Sequence, residues 1–184
     1  MNSALATKML HIGMLGDAIE TIHVGQLTVL RALPREPVHP PVLFVHGYFA
    51  DATVFTEWLP LFASRGFPAY AVNLRGRAES ISHTNLGATS IHDFVDDAAM
   101  VANSLESRVP PLVIGHSMGG LIAQMLAARG DVRAAILMTP APPRGITVLS
   151  VRLALKQLKY LSAILASRTV TPSREDMRKL VFNR

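Results

Sequence analysis

Apolar residues along this chain follow two distinct rhythms. Four short unbroken runs, carried by "VLFVHG", "FPAYAVN", "PLVIG" and "VRAAILM", predict strands buried on both faces of a sheet. Between them the apolar positions recur at three- and four-residue steps. Phe55, Trp58, Leu59 and Phe62 predict a helix from about Val54 to Ser64, and Ile91, Phe94, Val95, Ala98 and Val101 predict another. The second is opened by Ser90 with Asp93 three residues later, the spacing of a capping box. A third helix is expected from Met118 to about Arg129. Ahead of these, Thr21–Val24 and Leu27–Ala32 flank Gly25-Gln26, where glycine supplies the positive φ of a two-residue hairpin turn. Strands alternating with helices predict an α/β architecture, a mostly parallel sheet with an N-terminal antiparallel hairpin at its edge.

One junction in this pattern carries candidate chemistry. "VIGHSMGGL", residues 113–121, sets Ser117 between Gly115 and Gly119 at a tight turn from a buried strand into a helix. Such a turn strains the serine backbone and requires the flanking positions to lack side chains, so that strand and helix can approach. The serine Oγ is then presented above the carboxyl end of the sheet, and the Met118 amide, at a helix N-terminus, is placed to stabilise a developing oxyanion. The loop "FVHGYF", residues 44–49, follows the third strand. It offers the Tyr48 amide as the second donor, with Phe49 next.

"HGYF", "LRGRAES", "GHSMGG" and "LMTPAPPRGI" occur in an order and at a spacing that resemble α/β-hydrolase fold proteins of the esterase, lipase and acyl-transfer type, over about residues 20–146. The resemblance implies a serine hydrolase that attacks a carboxylic ester, thioester or related small-molecule acyl substrate through Ser117, with no cofactor and no metal. Serine at the nucleophile position argues against the carboxylate chemistry of related dehalogenases and epoxide hydrolases. Ester-hydrolysing members carry the triad in the order Ser, acid, His. After Ser117 this chain has no histidine, and its acids there are Asp131, Glu175 and Asp176. Asp131 falls at the start of a strand, at the end of the sheet opposite the site. The expectation is therefore a hydrolase core over residues 1–146, the start of a helical cap or lid over 147–184, C-terminal strands missing, and weak or absent turnover from a partial reading frame. A non-catalytic ligand- or partner-binding protein on a degenerate hydrolase scaffold is the alternative.

Composition modifies this picture at a few points. The chain has 184 residues and no cysteine, which excludes disulfides and thiolate metal sites. No apolar run is long enough to cross a bilayer, so a cytoplasmic protein is expected. The net charge of +5 is concentrated after Pro143, where nine Lys and Arg face two acids. Part of that excess lies on "LSVRLALKQLKYLSAIL" in residues 149–166, amphipathic with Arg152, Lys156 and Lys159 on one side. A lid helix over an acyl pocket is the favoured reading and a membrane-surface helix the other. No nucleic-acid partner is expected, and an exposed sheet edge is a candidate for pairing. His46 is expected to shape its loop and His116 to point away from Ser117, while His83 and His92 take surface or capping places. Asp93, Asp96 and Asp97 share a helix face with His92. A solvated acidic first turn is expected there ahead of a metal site. Arg75 and Arg77 lie in a loop bordering the pocket, where an anion site is the lesser alternative to a turn.

Overall fold

The computed structural model describes residues 19–80, 85–105 and 107–146, together with Ala166, Ser173 and Glu175. Apart from those last three positions, the expected cap at 147–184 and the amphipathic stretch at 149–166 lie outside the described residues. Gly25, at φ 58°, folds strand β1 (Glu20–Val24) back on β2 (Leu27–Ala32) in antiparallel register, with Val24 opposite Leu27. β2 pairs antiparallel with β4 (Ala69–Val72), and from there the sheet is parallel through β3 (Val42–Val45), β5 (Leu112–His116) and β6 (Ala134–Met138). The strand order is β1-β2-β4-β3-β5-β6. From β3 the chain steps outward to β4, then returns to the other side as β5. The carboxyl ends of β3 and β5 therefore open a crevice at a topological switch point, where open α/β sheets bind ligands.

Every residue of β3 and β4 is buried, which is why those segments read as continuous apolar runs. Alternate side chains enter two core layers. Leu43, Val45 and Val72 pack with Phe94, Val95, Ala98, Ile122 and Leu126, which come from helices α2 (Ile91–Ser104) and α3 (Met118–Arg129). Val42, Phe44 and Ala71 face Phe55, Leu59 and Ala63 on the opposite side. The capping box at α2 is formed: Ser90 Oγ accepts from the Asp93 amide, and the Asp93 carboxylate accepts from the Ser90 amide at 2.8 Å. Helix α3 ends at Gly130, whose φ of 82° lets the chain turn toward β6. Among the described residues no helix is long and apolar enough to cross a membrane.

Two expectations need correction. The single helix expected over 54–64 is instead a 3-10 turn, Ala52–Phe55, followed by a short helix α1, Trp58–Ala63. Pro60 is the cause: it has no N–H to donate to the Thr56 carbonyl, and it is tolerated only in a first turn, where that amide has no partner anyway. The second concerns β6, expected as a fully buried strand. Ile136 is 55% and Leu137 40% exposed, because β6 pairs only with β5 among the described residues and forms the sheet edge. Asp131 lies in the turn before β6, at the amino end of that strand.

Candidate active site

Ser117 joins β5 to α3 with φ 55° and ψ −116°, a conformation that L-residues rarely adopt and that costs about 1–3 kcal/mol. The surrounding backbone enforces it. The Ser117 amide donates to the Met138 carbonyl at 3.0 Å, and its own carbonyl accepts from the amides of Gly120 at 3.0 Å and Ala141 at 2.8 Å. The end of β6 therefore braces the turn, a contribution that the local sequence does not reveal. A methyl group on Gly115 would stand 2.0 Å from the Gly119 carbonyl oxygen, and one on Gly119 would stand 2.0 Å from the Val45 carbonyl oxygen. Three backbones meet there without side chains. Gly120, which the sequence reading passed over, is confined too, since its methyl would lie 2.8 Å from Pro140 Cβ.

The loop after β3 lies against this turn. A methyl on Gly47 would be 3.2 Å from Ser117 Cβ and 3.4 Å from His116 Nδ1, so the loop, the serine and the His116 ring border one small space. His116 is exposed. Its Nδ1 borders the Gly47 loop, which Ser117 Cβ also borders. Met118, as the first residue of α3, has no intrahelical acceptor for its amide. Tyr48 is half-buried, and among the described residues its amide makes no hydrogen bond. Tyr48, on the loop after β3, and Met118, at the start of α3, are thus the two candidate donors.

Behind the loop, His46 is fully buried at the end of β3. Its Nδ1 bonds the Gly47 carbonyl at 2.7 Å and its Nε2 accepts from the Leu74 amide at 3.2 Å, which fixes the proton on Nδ1. Burial, chiefly, pushes its pKa down to about 4, with the Arg77 charge acting in the same direction, so the ring is neutral. With both nitrogens engaged, His46 shapes the loop. Asn73 continues the scaffold: Oδ1 accepts from the Ala52 amide at 2.8 Å and Nδ2 donates to Thr28 Oγ1 at 2.9 Å. Ser80 Oγ accepts from the Thr28 amide at 2.8 Å. These buried polar side chains tie the loops after β3 and β4 to β2.

The acidic face of α2 departs from expectation. Asp97 is buried rather than solvated. Its carboxylate takes a two-pronged contact from Arg75, Nη2 at 2.6 Å and Nε at 2.9 Å, and accepts from the Arg75 amide as well. Asp96 pairs with Arg129 and Asp93 is the cap. Among the described residues no three His or acidic side chains are grouped to share a cation. Neither arginine of "LRGRAES" is free for an anion: Arg75 is held by Asp97, and Arg77 donates to the Tyr48 carbonyl.

A family model described as the alpha/beta hydrolase family matches residues 42–183. A monoacylglycerol lipase from Mycolicibacterium smegmatis is 31% identical over 106 residues, which is 54% of this chain and 37% of the lipase. Among solved structures, a bacterial membrane phospholipase A superposes with a TM-score of 0.66 at 20% identity, over 97% of this chain and 55% of that one. The thioesterase domain from the curacin biosynthetic pathway gives 0.61 at 21%, over 92% and 63%. An epoxide hydrolase from an endophytic Streptomyces gives 0.58 at 26%, over 72% and 40%. The chain thus spans less than two thirds of the length of each of these relatives. The strand order, the strained turn at Ser117 and the family match over most of the chain agree, and this protein belongs to the alpha/beta hydrolase family.

Proposed function

We propose that the chain carries the nucleophile half of a lipase- or esterase-type acyl hydrolase. Ser117 Oγ attacks the carbonyl carbon of a carboxylic ester or thioester, and the amides of Tyr48 and Met118 receive the negative charge that develops on the carbonyl oxygen. The observation that carries this reading is the Ser117 backbone at φ 55°, locked between Gly115 and Gly119 with the Gly47 loop against it. The attack needs a base to take the hydroxyl proton, and the acyl-enzyme needs water activated by the same base. His46 does not fill that place, because taking a proton would sacrifice its bond from the Leu74 amide. The reading therefore assigns the base to a residue other than His46. The lipase, phospholipase and thioesterase relatives support an acyl substrate.

The engagement of both His46 nitrogens also favours a second reading, a scaffold that binds its ligand without turnover. Exposure to a fluorophosphonate, followed by intact mass, separates the two. An adduct on the wild type that is lost in Ser117→Ala supports the hydrolase. A folded protein that never gains the adduct refutes an activated serine and leaves the binding scaffold.

A further inference from the structure

Resting on that reading of Ser117, we propose that Arg77 is a positioning residue that sets the oxyanion loop. Its guanidinium reaches across from the loop after β4 and donates through Nη2 to the Tyr48 carbonyl oxygen, while its Cζ lies 5.3 Å from the centre of the Tyr48 ring. One side chain thus holds both the backbone and the ring of the residue whose amide is the candidate donor. That ring also packs against Phe94 of α2, with centroids 6.5 Å apart.

Peptide geometry turns this contact into control of the amide. In a trans peptide the C=O and the N–H across the same bond point in opposite directions. The Gly47 carbonyl is held by His46 Nδ1 at 2.7 Å and the Ala50 amide at 3.2 Å, so the Tyr48 N–H is directed the other way. The next peptide is held at the Tyr48 carbonyl by Arg77. The Tyr48 N–H lies in the first plane, and the second shares the Tyr48 Cα with it, so holding the second at Arg77 keeps the first from swinging about that hinge. His46 secures one plane and Arg77 the other.

Arg77 is itself firmly mounted. Its amide donates to the Leu74 carbonyl at 3.0 Å, its carbonyl accepts from the Ser80 amide at 2.9 Å, and Nη1 returns to the Gly76 carbonyl at 3.0 Å. Gly76 at φ 71° and Ala78 at φ 46° fold the chain on either side of it. Ala78 adopts the left-handed region without being glycine, a strained position of the kind that accompanies a functional constraint. Ser80 anchors the whole turn to β2 through Thr28. With its guanidinium committed to two carbonyls, Arg77 acts through Tyr48 and not as a substrate ligand.

The test is the rate of fluorophosphonate capture, resolved into inhibitor affinity and the first-order step, for wild type, Arg77→Ala and Arg77→Lys. Phosphonylation builds oxyanion charge, so a misdirected donor slows the first-order step. Arg77→Ala is expected to slow it on the order of 100-fold with affinity nearly unchanged. Millimolar guanidinium should restore much of the loss in Arg77→Ala and none in Arg77→Lys, whose single ammonium cannot hold carbonyl and ring together. A general structural role would move the melting temperature and affinity without this rescue. If Arg77→Ala does not fold, Arg77→Lys decides: a folded Lys variant captured at the wild-type rate overturns the proposal. A labelled wild type with an equally fast, folded Arg77→Ala overturns it alone, whereas a wild type that takes no adduct overturns the Ser117 reading and this one with it.

Discussion

Replacing Gly119 by alanine tests the close approach at the centre of the site. The added methyl would sit 2.0 Å from the Val45 carbonyl oxygen, 2.6 Å from its carbon and 2.8 Å from the His46 carbonyl oxygen. All three are backbone atoms of β3 and its exit, so no side-chain rotation relieves the clash. Restoring ordinary contact requires α3 and β3 to separate by about 1 Å in a close-packed interior. Overpacking costs up to about 3 kcal/mol, and the upper end applies where only backbone can yield. The same shift would carry Ser117 away from the Gly47 loop, and a displacement of about 1 Å costs about 100-fold in rate. Gly130→Ala is the control: nothing lies within 4 Å of its methyl, and only the φ of 82° opposes it, at about 1 kcal/mol. Urea unfolding, with unchanged slope as the check on two-state behaviour, gives both stabilities, and fluorophosphonate capture gives the rate. If Gly119→Ala proves no less stable than Gly130→Ala, the packing account of this turn is wrong.

Ser117→Gly should remove all capture and yet raise stability by about 1 kcal/mol, since glycine adopts the strained φ without steric cost; a lower melting temperature would contradict the strain. His46 holds its pKa near 4 in the fold, against 6.5 when unfolded, mainly through burial. The unfolded chain therefore takes up this proton first as pH falls. The contribution is complete above about pH 6.5 and declines toward pH 4 by about 3 kcal/mol, so His46→Gln should flatten the stability profile in that window. An unchanged slope would mean that the ring is not buried neutral. Arg75→Ala strands the buried Asp97 carboxylate and should cost about 3 kcal/mol at pH 7; Asp97→Ala leaves a partly exposed guanidinium that water can reach and should cost less. Equal losses in denaturant unfolding would refute that asymmetry.

The local code of the chain settled a good deal. Gly25 between two alternating runs specified the hairpin, Ser90 and Asp93 specified a cap, and Gly115-His-Ser-Met-Gly119 marked a strand-to-helix turn, because each depends on neighbours within a few positions. Other features were illegible for the opposite reason. Pro60 was in plain sight but was outweighed by an apolar stripe, and only its missing hydrogen bond divides the expected helix. The solvated acidic face misread Asp97, whose partner is 22 residues away, and Arg77 gave no sign of its bond to Tyr48, 29 residues away. Those pairings follow from the strand order β4-β3-β5, which brings the exits of three parallel strands distant in sequence together at the carboxyl end of the sheet. Sequence alone determined which turn presents the serine. The tertiary structure decided what holds that turn and the loop beside it, because those contacts exist only once the parallel strands have paired.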